Sequence, residues 1–162
     1  MIGEEAGIDG AKAANELSNS CRFLICGEPT DNKLALGTKG AIRVELHTKG
    51  RAGHSAYPES GESAILKLVD IIQHWRTIEF PSDKTLGDTT WNLGVINGGS
   101  GANVIPDFAR AEMMFRLVTP VFEIKKILGD NLKGKGDIIY TFETNPVKME
   151  PVQGFDTTVV SF

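Results

Sequence analysis

The chain has 162 residues and a formal net charge of −4, from 17 Lys and Arg against 21 Asp and Glu. Its 41% hydrophobic and 23% charged residues describe an ordinary globular chain, which excludes a disordered or collagen-like one. The basic residues are scattered rather than gathered into a stripe, so nucleic acid is excluded as the leading partner. No apolar run approaches the roughly 20 residues that span a bilayer, which argues against a membrane partner.

The first residues, Met1-Ile2-Gly3-Glu4-Glu5, lack the basic and apolar regions of a signal peptide. Gly3-Glu4-Glu5-Ala6-Gly7 is too rich in glycine for a regular element. Asp9 then stands as an N-cap before Ala11, Ala14 and Leu17 at helical spacing. Phe23-Leu24-Ile25-Cys26 is a continuous apolar run, the pattern of a strand covered on both faces. Cys21 and Cys26 fall on opposite faces of that strand, so free thiols in a reducing, cytoplasmic compartment are expected rather than a disulfide. The run ends at Gly27-Glu28-Pro29-Thr30, which puts Glu28 just past a carboxyl strand end, where α/β sheets form ligand crevices.

From residue 40 the pattern changes. Ile42, Val44 and Leu46 alternate with Arg43, Glu45 and His47 and predict a half-buried strand. After a loop through Tyr57-Pro58, the residues Ile65, Leu68, Val69, Ile72 and Trp75 form one helical face, with Lys67, Asp70 and His74 opposite. Trp91, Leu93 and Val95 alternate in a second strand, and Ala109, Ala111, Met113, Phe115 and Leu117 in a third. Thr119 reads as an N-cap with Pro120 at the first helical position, before Val121, Ile124, Ile127 and Leu128. A Gly-Lys-Gly turn leads to a last strand around Ile138-Tyr140-Phe142.

The order from 40 to 143 is β-α-β-β-α-β, the ferredoxin-like split unit. The flanks differ. Residues 1–36 read as part of a parallel α/β sheet, and Thr158-Val159-Val160-Ser161-Phe162 reads as a strand with nothing after it. The expected fold class is therefore α+β, with a small complete domain at 37–146 inserted into a truncated α/β domain at 1–36 and 147–162.

Four stretches and one arginine carry a resemblance. Gly3-Glu4-Glu5-Ala6-Gly7, Gly27-Glu28-Pro29-Thr30, Gly53-His54-Ser55-Ala56-Tyr57-Pro58 and Gly98-Gly99-Ser100-Gly101-Ala102-Asn103-Val104-Ile105-Pro106 stand in order around the β-α-β-β-α-β unit, and Arg116 ends the next strand. With them the chain resembles the dinuclear-zinc amidohydrolases and metallopeptidases that include acetylornithine deacetylase, succinyl-diaminopimelate desuccinylase, aminoacylase and carboxypeptidase G. In that family a lid domain, inserted in the zinc-binding catalytic domain, also forms the homodimer.

The resemblance implies a role for each matching residue. Glu4 would be the general base that takes a proton from a metal-bridging water, with Glu5 a ligand of one metal and Glu28 of the other. His54 would reach into the opposite subunit and hydrogen-bond the oxyanion of the attacked amide. Asn103 would approach the same substrate across the dimer. Arg116 would clamp the α-carboxylate of a small N-acyl amino acid or peptide. Zinc is implied at two ions per subunit in the full-length parent, with cobalt or manganese possible.

Other readings stay open for some of these. Arg116 could instead pair with a neighbouring carboxylate on an exposed sheet face, and the glycines could simply shape a turn. His47 and His74 match no motif and lie on polar faces, and Lys39 is given no role. The histidines and the bridging aspartate that complete such a metal site are not in this sequence, so the chain alone is expected neither to retain zinc nor to hydrolyse amides. The rival is a stand-alone ferredoxin-like module that binds a small ligand or a protein and does no chemistry.

Overall fold

The alternation that begins at residue 40 is realised as β1 (Gly40–Lys49), with Ile42, Val44, Leu46 and Thr48 fully buried and Arg43 and Lys49 exposed. The structure, a computed structural model, describes residues 9–17, 35–132 and 134–149. The strands expected around 23–26 and 158–162, the two cysteines, and Glu4, Glu5 and Glu28 lie outside the described residues. Helix α1 (Asp9–Asn15) belongs to a separate unit and buries none of its side chains. Asp9 sits in its first turn, where a carboxylate meets the positive end of the helix dipole.

β1 lies at the centre of a four-stranded antiparallel sheet. Its neighbours are β3 (Phe108–Leu117) and β4 (Asp137–Thr144), and β2 (Thr90–Gly98) lies outside β3, giving the order β2-β3-β1-β4. The β1–β3 register runs unbroken from Gly40 opposite Leu117 to Lys49 opposite Phe108. This is the expected ferredoxin-like α+β unit. Three two-residue pairings surround it: Gly37–Thr38 with Val147–Lys148, Gly53–His54 with Val104–Ile105, and Ser82–Asp83 with Gly87–Asp88.

Two helices cover one face of the sheet. α2 (Ala64–Trp75) is capped by the Ser63 hydroxyl, which accepts from the Leu66 N–H at 3.3 Å. It buries Ala64, Leu68, Ile71, Ile72 and Trp75, whereas Ile65 and Val69, expected on that face, are half-buried at its flank. α3 (Val121–Asp130) buries Val121, Ile124 and Leu128. Against them stand Ala109, Ala111, Met113, Phe115 and Leu117 of β3. Phe115 is the hub: Trp91 stacks on it at 5.7 Å between centroids, and Trp75 and Phe80 meet it edge-on at 6.4 and 5.6 Å. Each fully buried large apolar side chain contributes about 1.5–3 kcal/mol. The buried Thr48 hydroxyl donates to the Ala64 carbonyl at 2.8 Å and ties β1 to the start of α2.

Three expectations are corrected. In β2 the register shifts between Leu93 and Val95, so Gly94 is an extra residue and Val95 turns to the open face opposite Glu112. In β4 the shift leaves Thr141 extra, and Phe142 joins Arg43 on the open face instead of following Tyr140 inward. Pro120, not Thr119, is the N-cap of α3 and provides no side-chain cap; the Val121 N–H instead donates to Asn145 Oδ1 at 2.9 Å. The buried Thr119 hydroxyl has no partner among the described residues.

Candidate functional site

Where β1 ends, Gly50 turns the chain. Its N–H donates to the Asp107 carbonyl at 2.7 Å, and a Cβ there would fall 2.0 Å from the Glu62 carbonyl oxygen. Only glycine permits that approach. The turn sets segment 51–61 beside segment 98–107. Gly53–His54 pairs antiparallel with Val104–Ile105, and the Ser55 N–H donates to the Asn103 carbonyl at 3.0 Å. His54 and Asn103, far apart in sequence, are thereby brought together on one platform.

The orientation of His54 is set locally. The Ala56 N–H donates to His54 Nδ1 at 3.1 Å, and the Tyr57 N–H donates to the His54 carbonyl at 2.9 Å. With Nδ1 occupied as an acceptor, the proton of the neutral imidazole sits on Nε2, which is then a hydrogen-bond donor. The Tyr57 ring lies 6.1 Å away and both side chains are exposed. A cleft of about 250 Å³ borders the platform, lined by Asn97, Gly98, Ser100, Val104, Phe108 and Arg110.

Sequence reasoning missed Arg51. Its Nε donates to the Ser60 carbonyl at 3.0 Å and its Nη2 to the Glu59 carbonyl at 3.2 Å. The only hint in the sequence was its place two residues before Gly53-His54.

Arg116 stands apart. It is exposed on the open face at the far end of β3, opposite Ala41 on one side and Thr90 on the other. Among the described residues it has no ion-pair or hydrogen-bond partner for its guanidinium, so the cross-strand pairing with a carboxylate does not occur. From Phe108, at the platform, to Arg116 the strand covers roughly 27 Å at 3.3–3.4 Å per residue. One chain therefore joins His54 to Asn103 and keeps Arg116 at the opposite end.

The two histidines outside the motifs each have a polar side chain beside them. His47 Nε2 lies 3.2 Å from Glu45 Oε2 with its ring edge-on to Phe108, and His74 Nε2 lies 3.0 Å from Asn131 Oδ1. Lys39 Nζ donates to the Asp88 carbonyl. Asp83 accepts from the Thr85 and Leu86 N–H groups, both at 2.9 Å, and from Lys148, whose bond is the largest of the effects that hold its carboxyl down to about 2. Among the described residues no three His, Cys, Asp or Glu side chains gather where they could hold a metal, and no helix is long and apolar enough to cross a membrane.

The two outer strands present different surfaces. β2 contains no charged residue, and Leu93, Val95 and Ile96 are 37%, 40% and 52% exposed. Leu66, on α2, is also exposed. β4 carries Asp137, paired with Lys49 at 3.1 Å, and Glu143, paired with Lys125 of α3.

Comparison with known proteins fits this architecture. The peptidase dimerisation domain of M20 peptidases matches residues 36–132. A peptidase M20 domain-containing protein of Schizosaccharomyces pombe is 34% identical, aligned over 100% of this chain and 41% of its own length. A protein named as a probable carboxypeptidase of Paracoccidioides lutzii is also 34% identical, over 100% of this chain and 42% of its own. This chain thus spans about two-fifths of the length of the curated relatives it matches. Among solved structures, aminopeptidase PepT of Bacillus cereus superposes with a TM-score of 0.68 at 19% identity, over 94% of this chain and 43% of that one. An M20 family metallo-carboxypeptidase of Sulfolobus solfataricus gives 0.57 at 16% identity, over 72% and 40%. These structures share the fold, and with the sequence matches they lead to one conclusion: the chain belongs to the M20 peptidase family and carries its dimerisation domain.

Proposed function

We propose that residues 37–146 are the dimerisation domain, and 1–36 with 147–162 parts of the catalytic domain, of a metal-dependent hydrolase that cleaves an N-acyl or peptide amide next to a free carboxylate. The observation that carries this reading is the separation of His54 and Asn103 from Arg116 along one strand, beside an outer strand free of charge. If β2 pairs antiparallel with its own copy about a two-fold axis, the Gly98 end of one strand comes to the Thr90 end of the other. Thr90 is opposite Arg116, and Gly98 leads into the loop that carries Asn103 and grips His54. Such a homodimer would join Arg116 of one subunit to His54 and Asn103 of the other in each of two sites.

In each site the Arg116 guanidinium, unpaired among the described residues, holds the substrate carboxylate with two parallel N–H bonds. His54 of the partner subunit presents its Nε2–H to the amide oxygen as negative charge develops there, and Asn103 of the partner subunit adds a further polar contact. A donor preorganised in this way is worth about 2.7–4 kcal/mol of transition-state stabilisation. The metal pair, zinc with cobalt or manganese as substitutes, would supply a water acidic enough to attack near neutral pH. Glu5 and Glu28 are proposed as ligands and Glu4 as the base that takes the water's proton. All three lie outside the described residues, and two carboxylates fall short of the three protein ligands usual at catalytic zinc. The chain by itself is therefore proposed to be inactive. The stand-alone binding module is the weaker reading, because the relatives are peptidases.

Subunit complementation tests the shared site. In the full-length enzyme His54→Ala and Arg116→Ala are each expected to lower kcat/KM roughly 100–1,000-fold. After equal amounts are mixed and exchanged, each heterodimer has one intact site, so about a quarter of wild-type activity should return. No recovery in exchanged heterodimers would put both residues in the site of a single chain and overturn the proposal.

A further inference from the structure

We infer that Arg51 is a positioning residue that holds His54 in its donor orientation; the catalytic part of this inference rests on the function proposed above for His54. The loop from Arg51 to Glu62 is strapped at both ends by one residue. The Arg51 backbone exchanges both hydrogen bonds with Glu62, at 2.9 and 2.8 Å, which closes the neck of the loop. Its guanidinium reaches across to the Glu59 and Ser60 carbonyls at the end of the short 3₁₀ turn Pro58–Ser60. The carbonyls at such a helix end have no partner within the helix, and a planar guanidinium can take two of them at once. No carboxylate competes for it among the described residues.

The strap passes to the histidine through a short chain of bonds. Ser60 donates its hydroxyl and its N–H to the Tyr57 carbonyl at 2.7 and 2.9 Å, and Tyr57 N–H donates to the His54 carbonyl. Gly53 presses on the same turn: a Cβ there would fall 2.7 Å from Ser60 Oγ. The Ala56 N–H that fixes the imidazole lies inside this turn, between His54 and Tyr57. When Arg51 releases the two carbonyls, the turn loosens and the Ala56 N–H no longer stays aimed at Nδ1. The ring then exchanges its proton between both nitrogens, and the Nε2 donor loses its fixed direction.

Two arms test this. In the 162-residue chain, ¹⁵N NMR of the histidines is expected to report a single His54 tautomer above neutral pH, protonated on Nε2. Arg51→Ala should shift its Nδ1 and Nε2 resonances toward an averaged pair, and Arg51→Lys, which can still donate to one carbonyl, should restore part of the difference. Arg51→Gln serves where the alanine variant fails to fold, since it cannot reach both carbonyls and should average the tautomers likewise. In the full-length enzyme Arg51→Ala or Arg51→Gln should lower kcat about 10–100-fold with KM held within about twofold. A purely structural role would lower the melting temperature and leave the tautomer unmoved. An Ala or Gln variant with native circular dichroism and the wild-type His54 tautomer would overturn the inference. If His54→Ala leaves kcat unchanged, the proposed role of His54 fails, while the NMR arm still decides whether Arg51 holds it.

Discussion

The two outer strands of the sheet are near twins in form and opposites in chemistry. β2 and β4 have 9 and 8 residues, each contains one bulge, and each adjoins a single inner strand. Both expose apolar side chains, Leu93, Val95 and Ile96 on β2 and Ile139 and Phe142 on β4, but β2 has no charge, while β4 is bracketed by Asp137 with Lys49 and by Glu143 with Lys125. The Lys125 ammonium also lies 4.7 Å above the Tyr140 ring. Charged side chains along an outer strand discourage pairing with another chain, and their absence leaves the strand free to pair. The sheet therefore closes one side and keeps the other available.

The largest expected effect comes from making the open side resemble the closed one. Under the homodimer and activity proposed above, Ile96→Lys should convert the full-length protein to monomer at micromolar concentration in analytical ultracentrifugation and lower its activity at least 100-fold. Ile139→Lys, on β4, should change neither. Equal effects from both substitutions would end the contrast. A smaller effect is expected from weakening the closed side. Lys125→Ala removes the Glu143 pair and the contact with Tyr140 and should cost about 1 kcal/mol in urea unfolding, with the dimer intact. Burial, reinforced by the Glu143 charge, raises the Tyr140 pKa above its ordinary value; Glu143→Gln should lower it in an ultraviolet titration.

The smallest effect sharpens the comparison at the ends of the two strands. Asp83, in the hairpin that leads into β2, is bound by Lys148, which follows β4. Its carboxyl is lowered from 3.8 to about 2, so the stabilisation is fully present above pH 3.8 and is lost as the pH falls toward 2. Asp83→Asn keeps an acceptor for the Thr85 and Leu86 N–H groups. The melting-temperature difference between wild type and this variant should shrink across that interval. A difference that stays constant from pH 5 to 2 would assign the effect to something other than this charge.

What the sequence revealed follows from periodicity. The alternations at Ile42-Val44-Leu46 and Ala109–Leu117 were legible because β1 and β3 pair without a break and bury one whole face. The alternation misled at Val95 and Phe142, because a bulge inserts one residue and reverses every side chain beyond it. The cap of α3 was hidden for a different reason. Asn145 supplies it from beyond β4, and no local window contains that contact. His54, Asn103 and Arg116 stood out by motif, but the motif held no sign that two of them share a platform and the third lies a strand length away. The hold of Arg51 on two carbonyls was equally invisible, since any exposed arginine near a loop looks the same in sequence.

The strand order also sets a timetable. β1 is the first strand of the sheet to be made, yet its two neighbours are β3 and β4, and its pairing with β4 joins Ala41 to Thr144. Among the four strands of this sheet, only β2 and β3 are consecutive in the chain and paired with each other. At about 5–20 residues per second, β1 leaves the ribosome roughly 5–20 seconds before its last partner strand is complete. Over roughly the last quarter of that interval, once Leu117 has been made, the β2–β3 hairpin displays its uncharged border, while Asp137 and Glu143 are still being synthesised. The nascent chain is thus most open to association with a second copy before it has finished becoming one domain.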